Sequence, residues 1–175
     1  MRRLLLLRHA KAELAKPGGR DRDRILAERG RSDAVRLGVY LARHAFVPDR
    51  ALVSTAMRTR ETWTLLAKAF ARTPPVDFEE DLYEASPQAI LQAIQDTEPD
   101  VATLLVIGHN PGLEELAAML IASGDVDARR RLQESFPTAA LAAIQFAAED
   151  WRGAHPSGGR LEHFITPKWL EVATD

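Results

Sequence analysis

Three segments of this 175-residue chain end an apolar run on residues that could do chemistry. Residues 4–7 lead into Arg8 and His9, residues 51–53 into Ser54, Thr55 and then Arg58, and residues 103–107 into Gly108, His109 and Asn110. Such runs suit strands covered on both faces. In open α/β sheets, ligands bind beyond the carboxyl ends of the strands. All three ends deliver cationic or imidazole groups and none delivers a carboxylate cluster. That is the complement of a small, multiply charged anion, with phosphate the obvious candidate.

The expected helix starts point the same way. Asn110 reads as an N-cap with Pro111 at the first helical position, which would aim free N–H groups and a positive dipole end toward His109. Ser54 or Thr55 can cap the next helix, putting Arg58 and Arg60 in its first or second turn. Cations there oppose the dipole by about 0.3–1 kcal/mol each, so a sequence that keeps two of them has an anion to hold. A strictly extended chain would turn Arg8 and His9 to opposite faces. The first strand must therefore end at about Arg8. Lone histidines are mostly structural or surface residues, and His44, His155 and His163 are read that way.

The elements that must position these groups alternate. Further strands are expected over 139–146 and 161–165. Helical periodicity covers 30–44, where Val35, Val39 and Ala42 mark the stripe and Ala34, Leu37 and Leu41 widen it. It also covers 55–72 (Trp63, Leu66, Phe70), 87–96 (Ile90, Leu91, Ile94) and 111–123 (Leu113, Leu116, Ala117, Leu120). Residues 11–24, 73–80 and 153–159 read as loops. The pattern predicts an α/β fold with a mainly parallel sheet. With no repeat or linker, residues 1–175 read as a single domain.

Composition narrows the function classes. A net charge of −2 gives no basic field for nucleic acid. The absence of cysteine excludes disulfides, thiolate zinc sites and cysteine nucleophiles, and fits a cytoplasmic protein. The four-residue apolar run before Arg8 is too short for a signal segment, and no stretch suits a membrane span. No Asp/Glu/His set has metal-ligand spacing, so neither a metal nor another cofactor is expected.

The motifs Leu7-Arg8-His9-Ala10, Ser54-Thr55-Ala56-Met57-Arg58-Thr59-Arg60-Glu61-Thr62 and Ile107-Gly108-His109-Asn110 resemble those of the histidine phosphatase superfamily, the phosphoglycerate mutase-like or RHG family. The segments Arg24-Ile25-Leu26-Ala27-Glu28-Arg29-Gly30, Leu82-Tyr83-Glu84-Ala85 and Ser135-Phe136-Pro137-Thr138-Ala139 are similar to its branch of small, SixA-like phosphohistidine phosphatases. Ala10 and Ala56 depart from the commoner Gly and Pro, at positions that supply no chemistry.

The resemblance implies a three-layer α/β/α, phosphoglycerate mutase-like fold. His9 would be the nucleophile, Arg8 and Arg58 would hold phosphoryl oxygens, and His109, protonated beside the dianion, would stabilise developing charge. It also implies Glu84 as the candidate general acid, Arg24 and Asn110 as substrate-binding residues, and no cofactor. The expected substrate is phosphohistidine on a signalling or phosphotransfer protein, with a short chain leaving little to cover the pocket. The alternatives are a phosphomonoesterase acting on small phosphate esters and a non-catalytic phosphoprotein-binding module. Intact Arg8, His9, Arg58 and His109 argue against the last.

Overall fold

The computed structural model describes residues 1–173. Its elements run β1 (Arg2–Arg8), α1 (Glu28–Arg43), β2 (Arg50–Ser54), α2 (Met57–Ala67), β3 (Val76–Glu79), α3 (Pro87–Gln95) and β4 (Thr103–Gly108). There follow α4 (Gly112–Leu120), β5 (Ile121–Gly124), α5 (Val126–Glu134), β6 (Leu141–Phe146), β7 (Gly159–Ile165) and α6 (Pro167–Ala173). The strands form one seven-stranded sheet in the order β3-β2-β4-β1-β6-β7-β5. Only β6 pairs antiparallel with its neighbours β1 and β7. The sheet is thus mixed but mostly parallel.

The leucine run explains the layers. Alternate strand residues face opposite sides, so Leu4 and Leu6 join one core while Leu5 and Leu7 join the other. The first core holds Ile90 and Ile94 of α3, Leu116 of α4 and Leu132 of α5. The second holds Leu37 and Leu41 of α1, Trp63 and Leu66 of α2, and Leu170 of α6. Helices therefore cover both faces, giving the three-layer arrangement. Among the described residues no helix is long and apolar enough to cross a membrane.

Four local expectations need correction. On α1 the buried stripe is Ala34, Leu37 and Leu41, while Val35 and Val39 are 43% and 37% exposed. Here Gly38 sits under α2, where a Cβ would lie 2.2 Å from the Leu66 carbonyl oxygen, and this close approach decides which face turns inward. Residues 73–80 are not all loop. Val76–Glu79 forms the edge strand β3, which tolerates Pro74-Pro75 just before it because an edge leaves donors unpaired anyway. The helix expected over 111–123 stops at Leu120, and Ile121–Gly124 becomes the other edge strand, pairing with β7. The expected periodicity also missed α5 and α6; both are short, and α5 is largely polar.

Candidate active site

Strands β2, β4 and β1 are consecutive in the sheet and parallel, so their carboxyl ends open at one place. β1 ends at Arg8, and His9 lies just beyond it, as the alternation argument required. The His9 N–H still donates to the Gly108 carbonyl (3.1 Å), and the Arg8 and His9 carbonyls share the Ala139 N–H at 3.1 and 3.0 Å. The nucleophile candidate is thus clamped between β4 and the turn before β6. A third anchor comes from α2. The Thr62 hydroxyl donates to the Arg58 carbonyl (2.7 Å) and accepts from the Ala10 N–H (3.1 Å).

His9, Arg58 and His109 are each 6–7% exposed and meet side by side. The two imidazole centroids are 5.3 Å apart. His9 Nδ1 lies 2.7 Å from the Ala10 carbonyl oxygen, so Nδ1 carries the proton and Nε2 keeps its lone pair. That lone pair faces the Arg58 Nε–H at 3.4 Å. Arg58 Nη2 lies 3.3 Å from His109 Nδ1, which makes Nδ1 an acceptor and leaves Nε2–H to donate to the Ser54 hydroxyl at 2.8 Å.

Burial is the main cause that pulls His9 down from its ordinary value to about 4, helped by Arg58, Arg8 and Arg24. Burial first, then His9 and Arg58, bring His109 down to about 3. Both rings are therefore neutral near pH 7 without a bound anion.

The other expected site residues are placed as follows. Arg8 is half-buried, and its Nη1 donates to the Phe136 carbonyl (3.2 Å). Asn110 Nδ2 donates to the same carbonyl (2.9 Å), so Asn110 fixes the wall around Arg8. It is not an N-cap, because α4 begins only at Gly112 and Pro111 occupies the cap position. Neither Ser54 nor Thr55 caps α2, since Ala56 occupies that position without a side-chain bond. Ser54 instead serves His109, and Thr55 bonds Arg22 and Glu80. Arg58 does stand in the first turn of α2. Arg60 turns away, donating to the Thr55 carbonyl (2.9 Å) and lying 4.2 Å over the Phe78 ring.

Arg24 is held by the Glu13 carbonyl (2.8 Å) and by Asp21 Oδ1 (3.1 Å). Its segment is wrapped against the chain leaving β1. Ala27 N–H donates to Lys11 O (2.9 Å), and a Cβ on Gly30 would lie 2.0 Å from that oxygen. Glu84 is exposed, has φ of 52° and makes no hydrogen bond or ion pair among the described residues. It follows Tyr83, whose ring stands edge-on to His109 at 5.5 Å. Lys11 and Lys16 are exposed, and Arg20 pairs with Asp23. His44, His155 and His163 make their contacts elsewhere. Among the described residues no cluster of His, Cys, Asp or Glu is placed to hold a metal.

Sequence reasoning missed two members. Asp21 accepts from Arg58 Nη2 at Oδ2 (3.1 Å) and at its backbone carbonyl from Nη1 (3.0 Å). Tyr83 donates its hydroxyl to the same Oδ2 at 2.5 Å. These partners, with Tyr83 foremost, hold the Asp21 carboxyl far below the usual carboxylate range. Asp21 lies in the 11–24 segment read as a loop, and only its place three residues before Arg24 could have drawn notice.

Residues 4–90 match the Histidine phosphatase superfamily (branch 1). An uncharacterized protein of Mycobacterium tuberculosis is 35% identical over 168 residues, covering 93% of this chain and all of that one. The solved structure named as phosphohistidine phosphatase SixA from Agrobacterium tumefaciens is 33% identical. It superimposes with a TM-score of 0.79, covering 95% of this chain and 99% of that one. A second, from Nakamurella multipartitia and likewise named SixA, is 27% identical with a TM-score of 0.83 and coverage of 95% and 96%.

Proposed function

The chain belongs to the histidine phosphatase superfamily, in its SixA-like branch, and is a phosphatase; on that premise we propose that it removes phosphate from phosphohistidine on a signalling or phosphotransfer protein. The whole chain acts as one catalytic domain. The observation that carries the reading is the His9 Nδ1–H bond to the Ala10 carbonyl, which leaves the Nε2 lone pair facing the guanidinium of Arg58. A neutral, oriented imidazole beside an arginine fork is what nucleophilic attack on a phosphoryl group needs.

In the first step a Nε2–P bond forms as the bond from phosphorus to the substrate ring nitrogen breaks. Arg58 and Arg8 hold the phosphoryl oxygens, and arginine's planar fork suits that task. The ring of His9 gains positive charge, which the Ala10 carbonyl stabilises through Nδ1–H. Water then displaces His9 from phosphorus, releasing phosphate and restoring neutral imidazole. His109 stabilises charge on the equatorial oxygens. The arginines supply the cationic charge, so no metal is assigned a role.

The leaving group favours phosphohistidine over an ester. A substrate imidazole protonated on its other nitrogen leaves as neutral imidazole and needs no acid, whereas an alkoxide does. Asp21 is held ionised by its donors and cannot supply that proton. Glu84 is the remaining candidate, exposed beside Tyr83. A small phosphate ester is therefore the second reading, with Glu84 as its general acid.

One comparison separates the two. The protein and its His9→Ala variant are incubated with a phosphohistidine-bearing phosphotransfer domain and with a panel of phosphate esters. Release from the domain by wild type alone is the expected result. Release from esters but never from phosphohistidine overturns the proposal in favour of the second reading. Binding without release from anything indicates a non-catalytic module.

A further inference from the structure

Arg58 uses its two edges differently. The inner edge, Nε and one face of Nη2, meets the imidazoles of His9 and His109 at 3.4 and 3.3 Å. The outer edge, Nη1 and Nη2, is taken by the carbonyl and carboxylate of Asp21 at 3.0 and 3.1 Å. Among the described residues Asp21 is the only carboxylate paired with this buried guanidinium. Its own position is over-determined, since Oδ1 accepts from Arg24 and Oδ2 from Tyr83. The next residue, Arg22, grips Glu80 with both terminal nitrogens at 2.9 and 2.7 Å and lies 5.3 Å from the Tyr83 ring centroid. The short helical turn Asp21–Asp23 is thereby fastened to the strap that carries Tyr83.

We infer that Asp21 is a positioning residue for phosphoryl transfer: held by Tyr83 and Arg24, it fixes the outer edge of Arg58 so that the inner edge is presented to the phosphoryl oxygens at His9. The inference rests on the phosphatase reading of the site. A carboxylate beside an anion site is electrostatically unfavourable for the anion, so its presence there calls for a compensating task. Acid catalysis is not that task, because the carboxylate spends both oxygens as acceptors from Arg24, Arg58 and Tyr83, which hold it in its ionised form. Holding a long, flexible arginine in one orientation is, because productive geometry at phosphorus tolerates little misplacement.

The sign of one measurement decides the matter. Tungstate, a tetrahedral dianion, is titrated calorimetrically into wild type, Asp21→Ala and Tyr83→Phe, with thermal melts to establish folding. If Asp21 acted only through its charge, its removal would tighten tungstate binding. Positioning predicts the opposite. Asp21→Ala raises the tungstate dissociation constant about tenfold and lowers kcat/KM for phosphate release by about tenfold to a hundredfold, with kcat falling more than KM rises. The loss stays partial because the bond from Nη1 to the Asp21 carbonyl survives. Tyr83→Phe alters no charge and shifts both quantities the same way by a smaller factor.

Unchanged or tighter tungstate binding in Asp21→Ala overturns the inference, as does an unaffected Tyr83→Phe if the alanine variant does not fold. These outcomes leave the phosphatase reading intact where wild type still releases phosphate. Wild type that binds no tungstate overturns both. Wild type that binds tungstate but turns over no phosphate ends the catalytic reading, while the order of the affinities still judges Asp21.

Discussion

The depressed basicity of His9 sets a measurable pH limit on the first chemical step. The pH dependence of kcat/KM reports the free enzyme's essential groups, and here the essential form is neutral His9. At about pH 5 an ordinary imidazole with a pKa of about 6.5 is about 3% neutral, whereas His9 at about 4 is about 90% neutral, a gain of about thirtyfold. Formation of the acid-labile phosphoenzyme should therefore stay within about twofold of its neutral rate at about pH 5, after correction for the ionisation of the substrate. The assay is rapid quench under subsaturating conditions across the acid range, with His9→Ala as the blank. Arg58→Met sharpens it. Burial outranks Arg58 among the causes, so removing that charge should return the pKa only part of the way. An acid limb between about pH 6 and 7 in wild type would refute the reasoning, because it would mean that the buried ring is solvated in solution.

Three further outcomes follow from the same contacts. His9 and His109, held at about 4 and about 3, bind protons more readily unfolded than folded. Their stabilisation should be complete above about pH 6.5 and fall as pH drops toward those values, by up to about 1.4 kcal/mol per pH unit for each ring, read from urea unfolding across that window. Ser54→Ala leaves the buried His109 Nε2–H without its acceptor; a loss of about 1–3 kcal/mol in denaturant unfolding is expected, and an unchanged midpoint counts against a stabilising role for this bond. Gly30→Ala places a Cβ 2.0 Å from Lys11 O, two residues from the nucleophile; it should cost about 1–3 kcal/mol and lower kcat/KM disproportionately, whereas a silent substitution would show that this packing does not hold His9 in place.

What was legible in the sequence divides along a physical line. The leucine run, the apolar 103–107 segment and the residues that follow them could be read because buried parallel strands are apolar throughout and their carboxyl ends carry ligands. His9, His109 and Arg58 meet for that reason. The edge strands were illegible because they are only four residues long: Val76-Asp77-Phe78-Glu79 of β3 alternates, but too briefly to stand out directly after Pro74-Pro75. The helix caps misled for a related cause. Ser54 and Asn110 are cap-type residues standing where caps belong, yet each is drawn off by a partner distant in sequence, His109 for one and the Phe136 carbonyl for the other.

Arg60 illustrates the limit of inferring function from an unfavourable charge. It sits early in α2 like Arg58, but an aromatic ring on the edge strand and a backbone carbonyl account for it without any anion. The difference between the two arginines lies in the partners supplied by other segments. Asp21 reaches Arg58 across 37 residues of chain, and Tyr83 reaches Asp21 across 62. Neither separation leaves a local pattern, and the one local partner, Arg24 three residues on, reads as an ordinary i,i+3 ion pair. A strand end announces which groups can meet the ligand; the residues that aim those groups come from loops whose composition reads only as charged.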